Sequence, residues 1–248
     1  MIKTPVTAYF VAAGKYHDID FARLEILKLL AEHDHIRTIV APDYSDIEAI
    51  QASDFLITYT CDVIANDEQT KALRDYVASG KKWVALHGTN SILRFLEDGR
   101  VDAPEENTDF MELLGTQFKA HPPIGPFEVE VVNSENPLTQ GMTDFEVVDE
   151  LYLSKTFGDL DVLMQTRFTG EATGFVDVDW KDAVVPITYL RDFGEGQVFY
   201  CTLGHCRGHY DVTVMTPFYP HTERCAWNYP IYYELLRRSI KWALGTLS

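Results

Sequence analysis

The chain has 248 residues, 46% apolar and 12% aromatic, with 21 Lys and Arg against 38 Asp and Glu and a formal net charge of −17. That length can bury a sizeable core, and so acidic a surface repels phosphate backbones and anionic membranes, so neither nucleic acid nor a membrane is an expected partner. The apolar run at 6–13 ends in Gly14-Lys15-Tyr16-His17-Asp18 without the cleavage site of a secretory leader, and no stretch approaches the roughly 18 uninterrupted apolar residues of a membrane helix. Cys61, Cys201, Cys206 and Cys225 show neither Cys-x-x-Cys spacing nor disulfide density. Reduced thiols and a cytoplasmic location are therefore expected, without a structural zinc held by cysteines.

In chain order, residues 7–12 read as a buried strand, and Asp18 or Asp20 can cap a helix over 21–32. A second strand is expected at 35–41, a short helical segment at 45–51 and a third strand at 54–60. Asn66-Asp67-Glu68-Gln69 has the form of a capping box, opening a helix that runs to residue 78 with Gly80 as its stop. The apolar run 82–86 is a fourth strand, broken at His87-Gly88-Thr89, with a helical stretch expected over 90–96. Strand–helix alternation of this kind predicts a doubly wound, mostly parallel sheet, because parallel neighbours need helical crossovers.

The second half is less regular. Residues 96–109 are acidic and carry Gly99 and Pro104, as a surface excursion would. Strands are expected at 127–132, 145–148, 160–166 and 184–190, and a hairpin turn at 192–196 leads into a strand over 197–202. Residues 203–229 show no period, and a closing helix spans 231–243. No repeat or linker interrupts 1–248, which is read as one domain.

Open parallel sheets bind ligands beyond the carboxyl ends of their strands. His17-Asp18, Cys61-Asp62, His87-Gly88-Thr89-Asn90 and His205-Cys206-Arg207-Gly208-His209 all fall at such ends. A lone histidine usually caps a turn or satisfies a core hydrogen bond, but three at strand ends of one sheet point to a site. Strand 82–86 running into His87-Gly88 resembles a nucleophile elbow with imidazole where a hydrolase places Ser or Cys. Imidazole serves as a base or metal ligand, so glutaminase and serine-hydrolase chemistry are disfavoured. Cys61 lacks any neighbour that would activate it. Ala13-Gly14-Lys15 lacks the rest of a phosphate loop, and no G-x-G-x-x-G follows the first strand. The pair His205 and His209 has metal spacing for a helix, but Gly204 and Gly208 argue against a helix there. Tyr210, Phe218, Tyr219, Trp227 and Tyr229 could floor a sugar pocket or pack as plain core.

Five fragments in order resemble the ThuA-like (trehalose utilization) family. They are Gly80-Lys81-Lys82-Trp83-Val84-Ala85-Leu86-His87-Gly88, Gly115-Thr116-Gln117-Phe118-Lys119-Ala120-His121-Pro122, Asn136-Pro137-Leu138-Thr139-Gln140-Gly141, Asp149-Glu150-Leu151-Tyr152 and the run from Gly194 to His205. The resemblance implies a flavodoxin-like α/β fold of the class I glutamine amidotransferase-like group, with extra strands and a long C-terminal loop. It places the family's recurrent polar groups on His87, His121, Glu150 and His205, with His17 at the first strand end. Two departures stand out: Asn136-Pro137 where the family often has His-Pro, and the long loop after His205.

The resemblance implies an enzyme of carbohydrate catabolism acting on a small glycoside or keto-disaccharide. The expected catalytic set is His87, Glu150, His205, His121 and His17, working by acid–base chemistry, with Asp18, Asn90, Tyr152, His209 and Tyr210 near the substrate. One alternative is a non-catalytic sugar-binding or interaction module on the same scaffold. Another is a metal-dependent hydrolase holding zinc or manganese; otherwise no cofactor is expected. The partner is a small sugar, with association into a homo-oligomer left open.

Overall fold

The computed structural model of the chain describes residues 4–247 except 212, 214, 215, 218 and 219. Its first half obeys the expected alternation. Strand β1 (Val6–Gly14) lies between β2 (Ile36–Ala41) and β3 (Phe55–Cys61), parallel to both. Strand β4 (Lys82–Leu86) continues the parallel run beside β3. The crossovers are α1 (Ile19–Ala31), α2 (Ile47–Ala52) and α3 (Asp67–Ala78). Asp18 caps α1 through the Phe21 N–H at 3.1 Å. Asn66 and Gln69 close the expected capping box on α3.

Because strand side chains alternate, β1 feeds two cores. Ala8, Phe10 and Ala12 pack under α1 and the closing helix α5 (Pro230–Ala243), where Ile26, Leu29, Leu236 and Ile240 are buried. Tyr9 and Val11 face the opposite layer with Leu73, Tyr76 and Trp83. Truncating a fully buried residue such as Phe10 to Ala would cost about 3–5 kcal/mol.

Beyond β4 the chain forms short β5 (Arg94–Phe95) and β6 (Val101–Asp102), which pair with each other. Helix α4 (Thr108–Leu114) then leads to β7 (Thr116–Ala120), β8 (Gly125–Val131), β9 (Phe145–Asp149) and β10 (Leu153–Thr156). The long hairpin of β11 (Asp161–Glu171) and β12 (Asp179–Phe193) is followed by β13 (Gly196–Cys201). The main sheet runs β2-β1-β3-β4-β13-β12-β11-β8-β9. β13 is parallel to β4, and the strands beyond it are antiparallel. The 2-1-3-4 order with a fifth parallel strand is the flavodoxin-like pattern.

Residues 90–96 do not form the expected helix. His87–Asn90 make one 3-10 turn, and the chain then runs extended. Asp62 is the cause: its N–H donates to the Ser91 carbonyl and its carboxylate takes the Leu93 N–H, each at 3.1 Å. Residues 108–114, at the end of the expected acidic excursion, coil into α4 with Phe110, Met111, Leu113 and Leu114 buried. β11 and β12 extend past their apolar stretches because they pair with each other there, with charged residues outward. Phe218 and Tyr219 lie outside the described residues. Among those described, no helix is long and apolar enough to cross a membrane.

Candidate active site

Five loops bring the expected chemistry to one place. His17 sits in the turn from β1 to α1, and His87 follows β4. His205 follows β13, His121 follows β7 and Glu150 follows β9. The turn after β4 is tight. His87 has φ +45°, a left-handed value uncommon for a side chain of its size. Gly88 follows because a Cβ there would lie 2.6 Å from the Thr60 carbonyl oxygen. Gly204, at φ +122°, has no room for a Cβ, which would collide with the Tyr232 hydroxyl. The two close approaches seat the His87 and His205 turns against the core.

Glu150 is the hub. Its Oε1 lies 3.1 Å from His121 Nε2. Its Oε2 lies 3.2 Å from His205 Nδ1, 3.5 Å from His87 Nε2 and 3.8 Å from His17 Nε2. His17 Nε2 and His87 Nε2 are 2.8 Å apart. The remote ring nitrogens face acceptors. His17 Nδ1 meets the Lys15 carbonyl at 3.1 Å, and His87 Nδ1 meets the Thr202 carbonyl at 2.7 Å. His205 Nε2 meets the Glu223 carboxylate at 3.0 Å, and His121 Nδ1 meets the Pro122 carbonyl at 2.8 Å. A carbonyl or carboxylate oxygen only accepts, so each of those nitrogens carries the proton. Tyr152 packs its ring on His87 at 4.4 Å.

Burial and charge set the ionisation. His17 and His87 are pushed below the usual histidine value, chiefly by burial. Burial also opposes charge on His205, but the Glu150 and Glu223 carboxylates outweigh it and raise its pKa to about 9. Burial would raise Glu150, yet His121, His205 and His17 hold it well below the ordinary carboxylate range. The buried centre is thus a carboxylate, an imidazolium and two neutral imidazoles. The ligand atoms of His17, His87, His205 and Glu150 lie within 4.8 Å of one another, so these four could hold a metal ion.

His17, Asp18, Asn90, Tyr152 and the centre's other residues are buried, whereas His121 keeps 26% of its side chain exposed. Asn90 stands behind the centre, where its side chain donates to Thr116 Oγ1 at 2.7 Å. Asp18 is buried beside His17, bonded by the hydroxyl of the exposed Tyr210 and, at 2.9 Å, by Arg224. His209 is exposed on a turn beyond His205, and the two rings do not converge as a metal pair on a helix would. Trp227 is core: it is buried, with Nε1 donating to the Gly204 carbonyl at 2.8 Å. Burial pushes the Cys61 thiol well above its ordinary value, which rules against a resting thiolate.

Sequence reasoning missed Glu223, which reaches His205 because Arg207 and Glu223 form an antiparallel bridge within the aperiodic loop. It also missed Arg224, and the carbonyls of Lys15 and Thr202, which no side-chain pattern announces.

Comparison with known proteins bears on the family and the fold. The family profile of ThuA, described as trehalose utilisation, matches residues 6–219 and ties the chain to a carbohydrate-related role. A putative ThuA-like protein from Bacteroides uniformis is similar over 100% of this chain and 95% of its own, with 18% identity and a TM-score of 0.69. One from Parabacteroides merdae is similar over 99% and 92%, with 15% identity and a TM-score of 0.62. The cytoplasmic protein STM1381 from Salmonella typhimurium is similar over 98% and 100%, with 14% identity and a TM-score of 0.57. At these identities the likeness is one of fold. No curated protein matches the sequence.

Proposed function

The chain belongs to the ThuA (trehalose utilisation) family, and on that premise we propose that it is an enzyme transforming a small glycoside or keto-disaccharide at the Glu150 centre. One observation carries the reading: Glu150 Oε1 meets His121 Nε2 at 3.1 Å while His121 Nδ1 already donates to Pro122. His121 is the most accessible ring of the centre, and its Nε2 faces the carboxylate directly. Glu150 and His121 are thereby placed to act as a general acid–base pair on a sugar hydroxyl or carbonyl arriving from the His121 side. His17, His87 and His205 surround the other carboxylate oxygen, on the buried side. Tyr210 stands exposed at the rim, its hydroxyl held by the buried Asp18, where a hydrogen-bonding group would recognise sugar hydroxyls.

The test is turnover. The purified chain is incubated with a panel of small glycosides and their keto-oxidised forms, and the products are separated and weighed by mass spectrometry. Glu150→Gln and His121→Gln are each expected to lower kcat by about 10²–10⁴-fold. Undiminished turnover in both variants overturns the assignment. So does tight binding of a sugar that is returned unaltered, which is the behaviour of a binding module.

A further inference from the structure

We infer that His17, His87, His205 and Glu150 form a binding site for one divalent transition-metal ion, with zinc the best match to the donors and manganese the second. Its use in catalysis rests on the function proposed above; its existence rests on geometry alone.

Three imidazoles have their outward nitrogens held by an acceptor: the Lys15 carbonyl, the Thr202 carbonyl and the Glu223 carboxylate. This outer shell fixes tautomer and ring direction in metal centres, and the Glu223–His205 pair has the carboxylate–histidine form. Held so, His17 Nε2 and His87 Nε2 aim lone pairs at each other across 2.8 Å, a repulsive contact unless a positive charge lies between them. His205 Nδ1 is fully buried and has no hydrogen-bond partner, although it stands 3.2 Å from Glu150 Oε2. The carboxylate is close to that nitrogen but off the line an N–H would need.

A proton can relieve one of these contacts. A single cation relieves them all. Four of the six ligand-atom separations, 2.8, 3.2, 3.5 and 3.8 Å, scatter around the ~3.4 Å edge of a tetrahedron with metal–ligand bonds of about 2.1 Å, and all six lie within 4.8 Å, so binding draws the His205 ring inward. Three imidazoles and one carboxylate suit zinc, and a six-coordinate manganese would keep two positions for substrate oxygens. His121 is outside the set: it faces Oε1, on the other side of the carboxylate from the three rings. The ion and the acid–base pair would thus share Glu150 without competing for one atom.

The experiment uses the full chain, stripped with a chelator, dialysed, and titrated with cobalt(II) followed by visible absorption and with zinc followed by calorimetry. One equivalent of either ion is expected to bind, with ligand-field bands of nitrogen and oxygen donors for cobalt. Glu223→Gln, a partly exposed position that leaves the core intact, is expected to weaken binding by about 10–100-fold through the outer shell. His205→Gln abolishes the stoichiometric step, and His121→Gln leaves affinity unchanged. Absence of a one-to-one step in the folded chain overturns the site, as does wild-type affinity in His205→Gln. One-to-one binding without any sugar turnover sinks the proposed function and leaves the site standing. Full turnover in verified metal-free protein overturns the catalytic use of the ion while leaving the acid–base reading intact.

Discussion

The Asp149 carboxylate holds the backbone of His205: Oδ1 accepts the His205 N–H at 3.1 Å and Oδ2 accepts the Gly204 N–H at 2.8 Å. The same side chain takes the N–H of Glu150 at 2.7 Å and of Ala226 at 3.3 Å. Adjacent carboxylates thus divide the work, Asp149 tying three chain segments together and Glu150 facing the histidines.

Asp149→Ala would leave four buried amides without their acceptor. Each buried unsatisfied donor costs about 1–3 kcal/mol, less where water enters, so a total loss of about 3–5 kcal/mol is expected. Urea unfolding measures it. Asp149→Asn keeps one acceptor oxygen and should lose less stability, yet still lose activity because the His205 turn shifts. A stability change under 1 kcal/mol in the alanine variant contradicts this role.

The centre also sets a pH dependence in the metal-free chain. Its neighbours raise the His205 pKa to about 9 from the ordinary histidine value of 6.5, so its contribution is full below about 6.5 and is lost as pH rises through about 9. His17 and His87 are shifted down from 6.5, so theirs is lost as pH falls below that value. Glu150, shifted down from 4.5, adds a loss at lower pH still. Unfolding midpoints of chelator-treated protein should therefore peak near pH 6.5. His205→Gln should flatten the alkaline limb; an unaltered limb would show that His205 does not hold the extra proton.

Gly88→Ala tests the elbow. The added Cβ would sit 2.6 Å from the Thr60 carbonyl and 2.9 Å from Cys61 Cβ, both in the core of the sheet edge. Overpacking of this kind costs about 1–3 kcal/mol and should displace His87 from its partners. The readouts are thermal unfolding and turnover. Asn66→Ala on α3 is the matched control, costing about 1 kcal/mol through its cap with turnover unchanged.

The sequence made the scaffold of this site legible because parallel topology is local in its logic. Once four strand–helix units are read, the carboxyl ends of β1, β4 and β13 fall on one edge, and His17, His87 and His205 come with them. Glu150 and His121 were legible only through family resemblance, since the antiparallel strands before them are short and weakly patterned. Glu223 was not legible at all. Its approach to His205 depends on a bridge between residues 207 and 223 inside a segment without period, and carbonyl partners leave no mark on side-chain pattern. The helix expected over 90–96 failed for a related reason: Asp62, far away in sequence, takes amide bonds that a helix would have used.

Arg224 offers the sharpest test of the rim. Its guanidinium donates to Asp18 at 2.9 Å and lies 3.9 Å over the Phe21 ring, which fastens the loop before α5 to the start of α1. Arg224→Ala removes a partly buried ion pair and a cation–π contact, together worth about 1–2 kcal/mol. Neither contact touches Glu150 or His121, so the loss should fall on binding rather than on the proton-transfer step. The expectation is a five- to thirtyfold rise in KM with kcat within about twofold. Tyr210→Phe, which deletes only the hydroxyl bonded to Asp18, should act in the same direction but more weakly. Steady-state kinetics on a turned-over sugar separates the cases, and a fall in kcat with KM unchanged would move Arg224 from the rim into the chemistry.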